Sequence, residues 1–353
     1  MEYKRLKDID LQENINRRVF IKFMARDVDV RTQKDGMTKY LTLSLCDLDV
    51  KVDAKKFGAT DDEISLMKKG AIYRGAIDVK EYAKSPTGYS CIIYNFEAID
   101  ENPSSYVEWT SGMEHAQSII QSALTDIGES IYKSLIYNII MENWDRFSIW
   151  TAASSFHHNQ LGGLLVHTAE VIEQADKIAE FWESKYGPGF INRPLVLSAA
   201  LLHDIAKTQE LSVDALNGTT EYSTQASLET HITMCVSMID VQAYKQSFGR
   251  QVYNVNELDA DDKVGLKSDE QIKSEQEALS LLKHCILAHH GKLEYGSPIS
   301  MNCPEANIVH MADELSAVMY RYNRAFSNME SGKSSTQWIG GQPITTYKDL
   351  SKS

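Results

Sequence analysis

The sequence has few cysteines and no paired cysteine motif. Its five cysteines, among 353 residues, are scattered, odd in number and never arranged as CxxC. This argues against a disulfide scaffold or a cysteine zinc site and is typical of a reducing compartment. No stretch approaches the roughly 20 consecutive apolar residues of a membrane span, and the first residues lack the apolar core of a signal peptide. We therefore expect a soluble, cytoplasmic protein without a membrane partner.

Proline and glycine are also too scarce for a fibrous or low-complexity chain, at 7 and 19 residues. The hydrophobic fraction of 43% and the charged fraction of 24% are ordinary for globular proteins. The length predicts two or three domains, each large enough to bury a core.

Negative charge is in excess but unevenly distributed. The formal net charge is −13, yet residues 1–100 carry 18 basic and 17 acidic side chains, which leaves 18 basic and 32 acidic residues elsewhere. An acidic protein binds polyanions poorly in a non-specific way. The near-neutral first hundred residues still leave room for a nucleic-acid site.

Residues 1–100 show the period-two alternation of half-buried strands. A polar, helix-like stretch lies near Asp61–Lys69, between the second and third strand segments. Four or five short strands with one helix, in this order, predict an all-β OB-fold barrel, with a generic β-sandwich as the alternative. The predicted strand segments are Arg18–Val30, Tyr40–Val52, Ala71–Tyr82 and Tyr89–Asp100.

The remainder of the chain is predicted to be all-α. Residues 101–112 are interpreted as a polar linker, and residues 113–326 as one helical domain with a solvated acidic insertion at about 241–272. Residues 327–353 are interpreted as a C-terminal tail. Apolar residues recur at helical spacing in His115–Leu124, Ile127–Asn143, Leu164–Tyr186, Pro194–Ala206, Ser227–Tyr244, Glu275–His290 and Glu305–Phe326.

Five histidines and two aspartates stand out within these helical segments. Imidazole and carboxylate are natural ligands of divalent transition metals, and seven such groups can hold two ions if one carboxylate bridges. Each residue alone is a weak signal, since a lone histidine is more often a satisfied core residue. Their succession is more specific. The residues are His167, His203, Asp204, His231, His289, His290 and Asp313.

This pattern resembles the HD-domain superfamily of metal-dependent phosphohydrolases, and more closely the YhaM-type 3′→5′ exoribonucleases, in which an OB-fold precedes an HD domain. The resemblance covers nearly the whole chain. It rests on the pair His157-His158 and on the segments GGLLVH, LLHDIAKTQEL, AHHGKLEYGSPI and PEANIVHMADELSA.

The resemblance implies a ligand set for two divalent ions. One ion would be held by His167, His203, Asp204 and Asp313, and the other by Asp204 as bridge with His231, His289 and His290. Mn²⁺ is favoured, with Fe²⁺, Co²⁺ and Zn²⁺ as alternatives.

Further residues are expected to contact the substrate. Asp204 and Lys207 are the catalytic candidates, with an exposed lysine at a helix C-terminus as the ordinary alternative for Lys207. The substrate-binding candidates are Lys207, His157, His158, Arg31, Lys39 and Tyr40. For His157 and His158, hydrogen bonds to carboxylates around the metal ligands and purely structural roles are the alternatives.

The implied activity is 3′→5′ hydrolysis of single-stranded RNA to nucleoside monophosphates, with single-stranded DNA as a further substrate. Two alternatives remain open: an HD-domain hydrolase of a small nucleotide or cyclic dinucleotide, and a non-catalytic nucleic-acid-binding protein with a structural metal. A homo-oligomer and a monomer are both compatible with the sequence.

Overall fold

Two units of different architecture make up the chain in the computed structural model. The first comprises Met1–Trp109 with Val213–Thr220, and the second comprises Thr110–Ser212 with Glu221–Ser353. The structure describes residues 2–85, 87–154, 158–215, 218–250, 267–327, 334–339 and 342–347.

The first unit is a closed barrel. A sheet of six strands runs in the order β1-β2-β3-β4-β6-β5, and an additional pairing between β2 and β5 closes it. A short helix, α1 (Asp61–Leu66), lies between β4 and β5 in the chain. This architecture confirms the predicted OB-fold. The strands are β1 (Lys4–Arg5), β2 (Arg18–Thr32), β3 (Lys39–Asp47), β4 (Val50–Phe57), β5 (Ile72–Glu81) and β6 (Tyr89–Ala98).

Alternation of apolar residues supplies the core of the barrel. On β4, Val52 and Ala54 are buried, whereas their neighbours Asp53 and Lys55 are exposed. Phe23 and Tyr73 fill the interior, and their ring centroids lie 5.9 Å apart. This core is separate from that of the helical unit.

The predicted strand Tyr40–Val52 is wrong in one respect, because the chain turns inside it. Asp47 pairs with Val50, so Leu48 and Asp49 form a two-residue hairpin loop between β3 and β4. Leu48 has a positive φ of 55°, which such loops require. Neither residue is glycine or proline, so the alternating pattern runs through the turn without a visible break.

The segment interpreted as a linker differs from a free connection, because most of it belongs to the barrel unit. Tyr106 is fully buried, its hydroxyl donates to Glu101 Oε2 at 2.6 Å, and the guanidinium of Arg5 lies 3.7 Å from its ring centroid. Arg5 in turn pairs with the fully buried Asp47. A single buried tyrosine thus anchors a segment that composition alone marks as polar.

The second unit is helical, as predicted. The long helix α4 packs against α2, α5 and α9, and α5 is buried along Leu195–Leu202. None of the described helices is long and apolar enough to cross a membrane. The helices are α2 (Met113–Asp126), α3 (Lys133–Phe147), α4 (Gly163–Tyr186), α5 (Arg193–Leu202), α6 (Lys207–Glu210), α7 (His231–Lys245), α8 (Asp269–Ala288) and α9 (Pro304–Ser327).

Two further sheets, of two strands each, lie later in the chain. Strands β7 (Leu211–Asp214) and β8 (Thr219–Tyr222) come directly after α6, and β9 (Ser334–Ile339) pairs antiparallel with β10 (Gln342–Tyr347). The latter pair lies in the segment interpreted only as a tail.

The acidic insertion expected at about 241–272 overlaps two helices. Its first residues belong to α7, which continues to Lys245, and its last belong to α8. Ser268 caps α8 by accepting from the backbone of Gln271. Residues 251–266, in the middle of the expected insertion, lie outside the described residues.

Candidate metal centre

Two consecutive glycines position the helix that carries the first histidine. Gly162 has a φ of 77°, in the left-handed region, and precedes α4. A Cβ on Gly163 would lie 2.0 Å from the carbonyl oxygen of His158, closer than any side chain allows. Only glycine permits this approach between the loop and α4, whose buried face carries His167 one turn later.

The end of α5 places the next two side chains. Helix α5 ends at Leu202, four residues before the predicted end, and His203–Ala206 form a turn that leads into α6. His203 Nδ1 lies 2.8 Å from the carbonyl oxygen of Ala200. The turn therefore directs His203 and Asp204 into one site as the chain leaves a fully buried helix.

The first cluster consists of His167, His203, Asp204 and Asp313. One potential ligand atom of each lies within 4.8 Å of those of the others. His167 Nε2 is 3.1 Å from Asp313 Oδ1, 3.4 Å from Asp204 Oδ2 and 3.2 Å from His203 Nε2. Three helical segments thus converge on a point the size of a metal coordination sphere.

The second cluster consists of His231, His289 and His290, whose potential ligand atoms satisfy the same 4.8 Å limit. His231 begins α7, and the adjacent pair follows the end of α8. Asp204 Oδ1 lies 3.4 Å from His231 Nε2, whereas Asp204 Oδ2 faces the first cluster. One carboxylate therefore lies between the two clusters, with one oxygen directed to each.

Three buried polar atoms of these clusters lack a hydrogen-bond partner among the described residues. They are Asp204 Oδ1, His231 Nε2 and His289 Nε2. Buried polar groups in native proteins are normally satisfied, and each exception calls for an explanation. All three are potential ligand atoms at the second cluster, which Asp204 Oδ1 faces, so the residues present there fit a divalent cation.

The other ring nitrogen of each histidine has a fixed partner. With Nδ1 occupied by an acceptor, the Nε2 lone pair of a neutral imidazole is left for a metal. The acceptors of Nδ1 are Ser316 Oγ for His167 at 3.0 Å, Ala200 O for His203 at 2.8 Å, Glu210 for His231 at 3.1 Å, Ile286 O for His289 at 2.6 Å and Tyr295 O for His290 at 2.8 Å.

Two of these partners, Glu210 and Ser316, were not predicted as site residues. Ser316 Oγ donates to Glu170 Oε2 at 2.6 Å, so it accepts from His167. Glu210 accepts from both the backbone N–H and the ring of His231. Their spacing from predicted site residues is the feature of the sequence that could have indicated them. Glu210 follows Lys207 by three residues, and Ser316 follows Asp313 by three residues on one helix.

Electrostatics of the protein alone favour a cation in the first cluster. Burial lowers the pKa of the His167 imidazole, but Asp204 and Asp313 outweigh burial and raise it to about 9. Burial likewise raises the pKa of Asp204, whereas Lys207 and the imidazoles hold that pKa well below its usual range. The cluster therefore concentrates ionised carboxylates that stabilise added positive charge.

Two imidazoles of the second cluster, those of His289 and His290, have pKa values that favour the neutral form. Burial and the neighbouring His290 lower the pKa of His289 well below its usual value. Burial and His231 also lower the pKa of His290. Because metal ligation requires a deprotonated imidazole nitrogen, these shifts favour a ligating state at neutral pH.

Lys207 begins α6 and is buried, so the interpretation as an exposed lysine at a helix C-terminus is wrong. Its Nζ lies 2.6 Å from Asp204 Oδ2. Burial lowers the pKa of Lys207, but Asp204 outweighs this and raises it. The lysine thus carries its charge directly beside the shared carboxylate.

A cavity of about 340 Å³ opens beside the second cluster. It gives the site room for a substrate and brings residues from six segments of the helical unit together. Its lining comprises Ala152, Ala153, Lys207, Glu210, Leu211, Tyr222, His231, His290, Ala317 and Arg321.

Two further substrate-binding candidates, His157 and His158, precede α4 in the chain. His157 falls outside the described residues. His158 is buried, its Nε2 lies 3.2 Å from Glu170 Oε2, and its ring contacts Tyr320 at 4.2 Å between centroids. It therefore supports the Glu170 and Ser316 network and does not line the cavity.

The three predicted barrel residues lie on or near β2 and β3. Arg31 lines a separate cleft of about 540 Å³ on the barrel surface, together with Phe57 and Tyr82. Lys39 pairs with Asp61 at 2.8 Å, and the ring of Tyr40 stacks on Phe57 at 5.8 Å. Arg31 and Tyr40 are direct partners across the β2–β3 ladder.

Comparison with known proteins places this site in a recognised domain. Residues 164–318 match the HD domain, a range that contains all seven clustered side chains. The chain is 23% identical over 351 residues to the 3′-5′ exoribonuclease YhaM of Bacillus pumilus, covering 98% of both chains.

Other relatives share the same name. The YhaM of Oceanobacillus iheyensis is 26% identical over 303 residues, 83% of this chain and 82% of that protein. Among solved structures, the second OB-fold domain of replication protein A from Methanococcus maripaludis matches 28% of this chain and 97% of its own, at 17% identity and a TM-score of 0.22.

Proposed function

We propose that this chain, whose residues 164–318 form an HD domain, is a metal-dependent 3′→5′ exoribonuclease. It would hydrolyse the phosphodiester bonds of single-stranded RNA, and of single-stranded DNA as a further substrate, to nucleoside monophosphates. The observation that carries the proposal is the position of Asp204 between two clusters of ligands. The HD domain and the YhaM relatives support a hydrolytic phosphodiesterase of the exonuclease class.

The ligand assignment follows the two clusters. His167, His203 and Asp313 would hold one divalent ion, His231, His289 and His290 the other, and Asp204 would bridge them. Mixed nitrogen and oxygen ligands suit Mn²⁺, Fe²⁺, Co²⁺ or Zn²⁺, and the resemblance favours Mn²⁺. Such a pair of ions supplies Lewis acidity for an in-line displacement at phosphorus.

Residues around the ligands orient the imidazoles and supply positive charge for the substrate. Glu210 and Ser316 hold two imidazoles in the ligating tautomer, and the buried network of His158 and Glu170 supports Ser316. Lys207, which lines the cavity, supplies a cation for a phosphate oxygen as negative charge develops. His157 remains a substrate-binding candidate on sequence grounds alone.

The barrel would bind the single strand. OB-folds hold single strands by stacking bases on aromatic rings while basic side chains follow the phosphates. The 540 Å³ cleft offers Phe57 and Tyr82 together with Arg31, Lys55 and Lys80. Lys39 and the Tyr40–Phe57 stack extend this surface beside the cleft. The free cysteines of the chain support activity in the reducing cytoplasm.

The alternative is an HD-domain hydrolase of a small nucleotide or cyclic dinucleotide. The size of the cavity favours it, because 340 Å³ falls within the range of small-molecule pockets. A long single strand distinguishes the two functions, because an exonuclease shortens it and a small-nucleotide hydrolase leaves it intact.

The test is incubation of a 5′-labelled single-stranded RNA with the full-length protein and Mn²⁺. The proposal expects a ladder that shortens from the 3′ end and disappears with a chelator. Asp204→Asn should abolish the ladder, whereas Asp240→Asn, at an exposed carboxylate on α7, should retain it. An intact RNA alongside hydrolysis of a free nucleotide would favour the alternative.

A further inference from the structure

One face of α9 runs from the metal centre along the cavity. Asp313, Ala317 and Arg321 are spaced four residues apart and so lie on one side of the helix. Both Ala317 and Arg321 line the cavity. Arg321 lies about 12 Å along the helix axis from Asp313, and the small side chain of Ala317 leaves the space between them open.

The guanidinium of Arg321 has no ion pair or hydrogen bond to any residue that the structure describes. Its side chain is half-buried in the cavity wall. The other cation of the cavity, Lys207, is engaged by Asp204 at 2.6 Å. Arg321 is therefore a cation in the cavity whose donors remain available to a ligand, and guanidinium is well suited to bind phosphate.

Tyr222 adds an aromatic surface to the same cavity. It is the last residue of β8 and is 61% exposed, although it lines the pocket. The next residue, Ser223, donates its N–H to the carbonyl oxygen of Glu210 at 2.8 Å. The tyrosine is thus attached through the backbone to α6, the helix that carries Lys207. An exposed aromatic ring at a fixed position is a stacking surface for a base.

We propose that Arg321 and Tyr222 form a second nucleotide subsite that selects a polymer over a mononucleotide. Arg321 binds the phosphate on the 5′ side of the bond to be cleaved, and Tyr222 stacks on the base of the nucleotide that precedes that bond. This inference rests on the proposed exonuclease function. It assigns the distinction between strand and small nucleotide to the helical unit itself.

The experiment compares three substrates of the full-length, Mn²⁺-loaded protein: bis(p-nitrophenyl) phosphate, a dinucleotide with one phosphodiester, and a trinucleotide with two. The trinucleotide alone carries a phosphate for Arg321 when its 3′-terminal bond is cleaved. The wild type should have a kcat/KM about tenfold to a hundredfold higher for the trinucleotide than for the dinucleotide, because a charged hydrogen bond is gained.

Arg321→Ala should remove this preference, mainly through a higher KM, and Arg321→Lys should restore part of it. Tyr222→Ala should lower kcat/KM about tenfold for both oligonucleotides, whereas Tyr222→Phe keeps the ring and should match the wild type. Hydrolysis of bis(p-nitrophenyl) phosphate, which offers no second phosphate, should fall less in Arg321→Ala than cleavage of the trinucleotide does, and far-UV circular dichroism should show that all four variants are folded. Arg324→Ala, on the same helix but outside the cavity lining, is the matched control.

The outcomes separate this subsite from the proposed function. A wild-type enzyme that shortens RNA, with a trinucleotide preference that survives in Arg321→Ala, would overturn the subsite alone. An equal loss on all three substrates would also overturn it, since the arginine would then serve the metal centre or the fold. A wild type that shortens no oligonucleotide would contradict the proposed function and the subsite together.

Discussion

Both carboxylate oxygens of Glu210 lie 3.1 Å from Nδ1 of His231. Glu210 also accepts the backbone N–H of the same histidine at 3.0 Å. One carboxylate thus fixes both the N-terminus of α7 and the imidazole of its first residue, His231. Burial raises the pKa of Glu210, but the hydrogen bond to His231 outweighs burial and lowers it, so the carboxylate stays ionised and accepts the Nδ1 proton.

Glu210→Gln should weaken the second metal site more than the first. An amide can donate as well as accept, so it no longer enforces the tautomer that leaves Nε2 of His231 free for a metal. Loss of such an outer partner typically costs 10- to 100-fold in metal affinity. Calorimetric titration with Mn²⁺ should show one weakened site and one unchanged site.

A matched control for that variant is Glu229→Gln, since Glu229 is exposed and binds Gln225. Its titration should equal that of the wild type. Equal weakening of both sites by Glu210→Gln, or none, would show that this carboxylate does not orient a ligand of the second cluster.

Gly163→Ala should destabilise the helical unit and damage the first cluster. The added Cβ would meet the backbone oxygen of His158 at 2.0 Å, and backbone cannot move aside as a flexible side chain can. Overpacking of this kind costs about 1–3 kcal/mol or more. The free energy of unfolding in urea should fall accordingly, and Mn²⁺ affinity should fall with it because α4 carries His167.

Gly36→Ala is the comparison for that change. Gly36 has a φ of 72°, and no atom lies within 4 Å of the position that a Cβ would occupy. Alanine there should therefore cost only the backbone strain of the left-handed conformation, about 1–2 kcal/mol of stability. It should leave Mn²⁺ affinity unchanged. A Gly163→Ala protein as stable as the wild type, with full metal affinity, would contradict the close approach of the loop to α4.

Cys303 should be the most reactive cysteine of the native protein. A hydrogen bond from Cys285, helped by the backbone N–H of Ala306 and opposed by burial, lowers the pKa of Cys303 to about 7. Burial raises the pKa of Cys91 to about 12 and also raises that of Cys235. Since the thiolate is the nucleophile, alkylation of Cys303 should rise with pH around a midpoint near 7.

The measurement is the pH dependence of iodoacetamide labelling, with the labelled cysteine identified by mass spectrometry. The fastest phase of iodoacetamide labelling should come from Cys303. Cys303→Ser should therefore remove that phase, and Cys235→Ser should leave it intact. A midpoint above 8, close to an ordinary thiol, or a fast phase that survives Cys303→Ser, would contradict the stabilised thiolate.

Local pattern was enough to predict the fold, because each element carries its own signal. Strand alternation gives the barrel, three- and four-residue spacing gives the helices, and the seven ligand candidates stand in segments that the structure brings together. The hairpin at Leu48 escaped detection because its loop contains no glycine or proline. Tyr106 escaped detection because a single buried ring anchors an otherwise polar segment.

The outer parts of the site depend on tertiary structure and could not be read from spacing alone. Glu210 reaches His231 only because α5 ends at Leu202 and the chain turns into α6. The four-residue spacing puts Arg321 on the face of Asp313, but its position in the cavity wall depends on how α9 packs against the other helices. Sequence motifs identify the ligands, whereas these contacts depend on where helices begin and end.

The shared position of Asp204 is tested most directly by counting metal ions. The protein should be reconstituted with Mn²⁺, freed of excess metal and analysed by elemental mass spectrometry. The wild type should hold two ions per chain, Asp313→Asn should keep the ion of the second cluster, and Asp204→Asn should lose both. A wild type with no ion, or an Asp204→Asn protein that still holds two, would contradict a dinuclear centre built around this carboxylate.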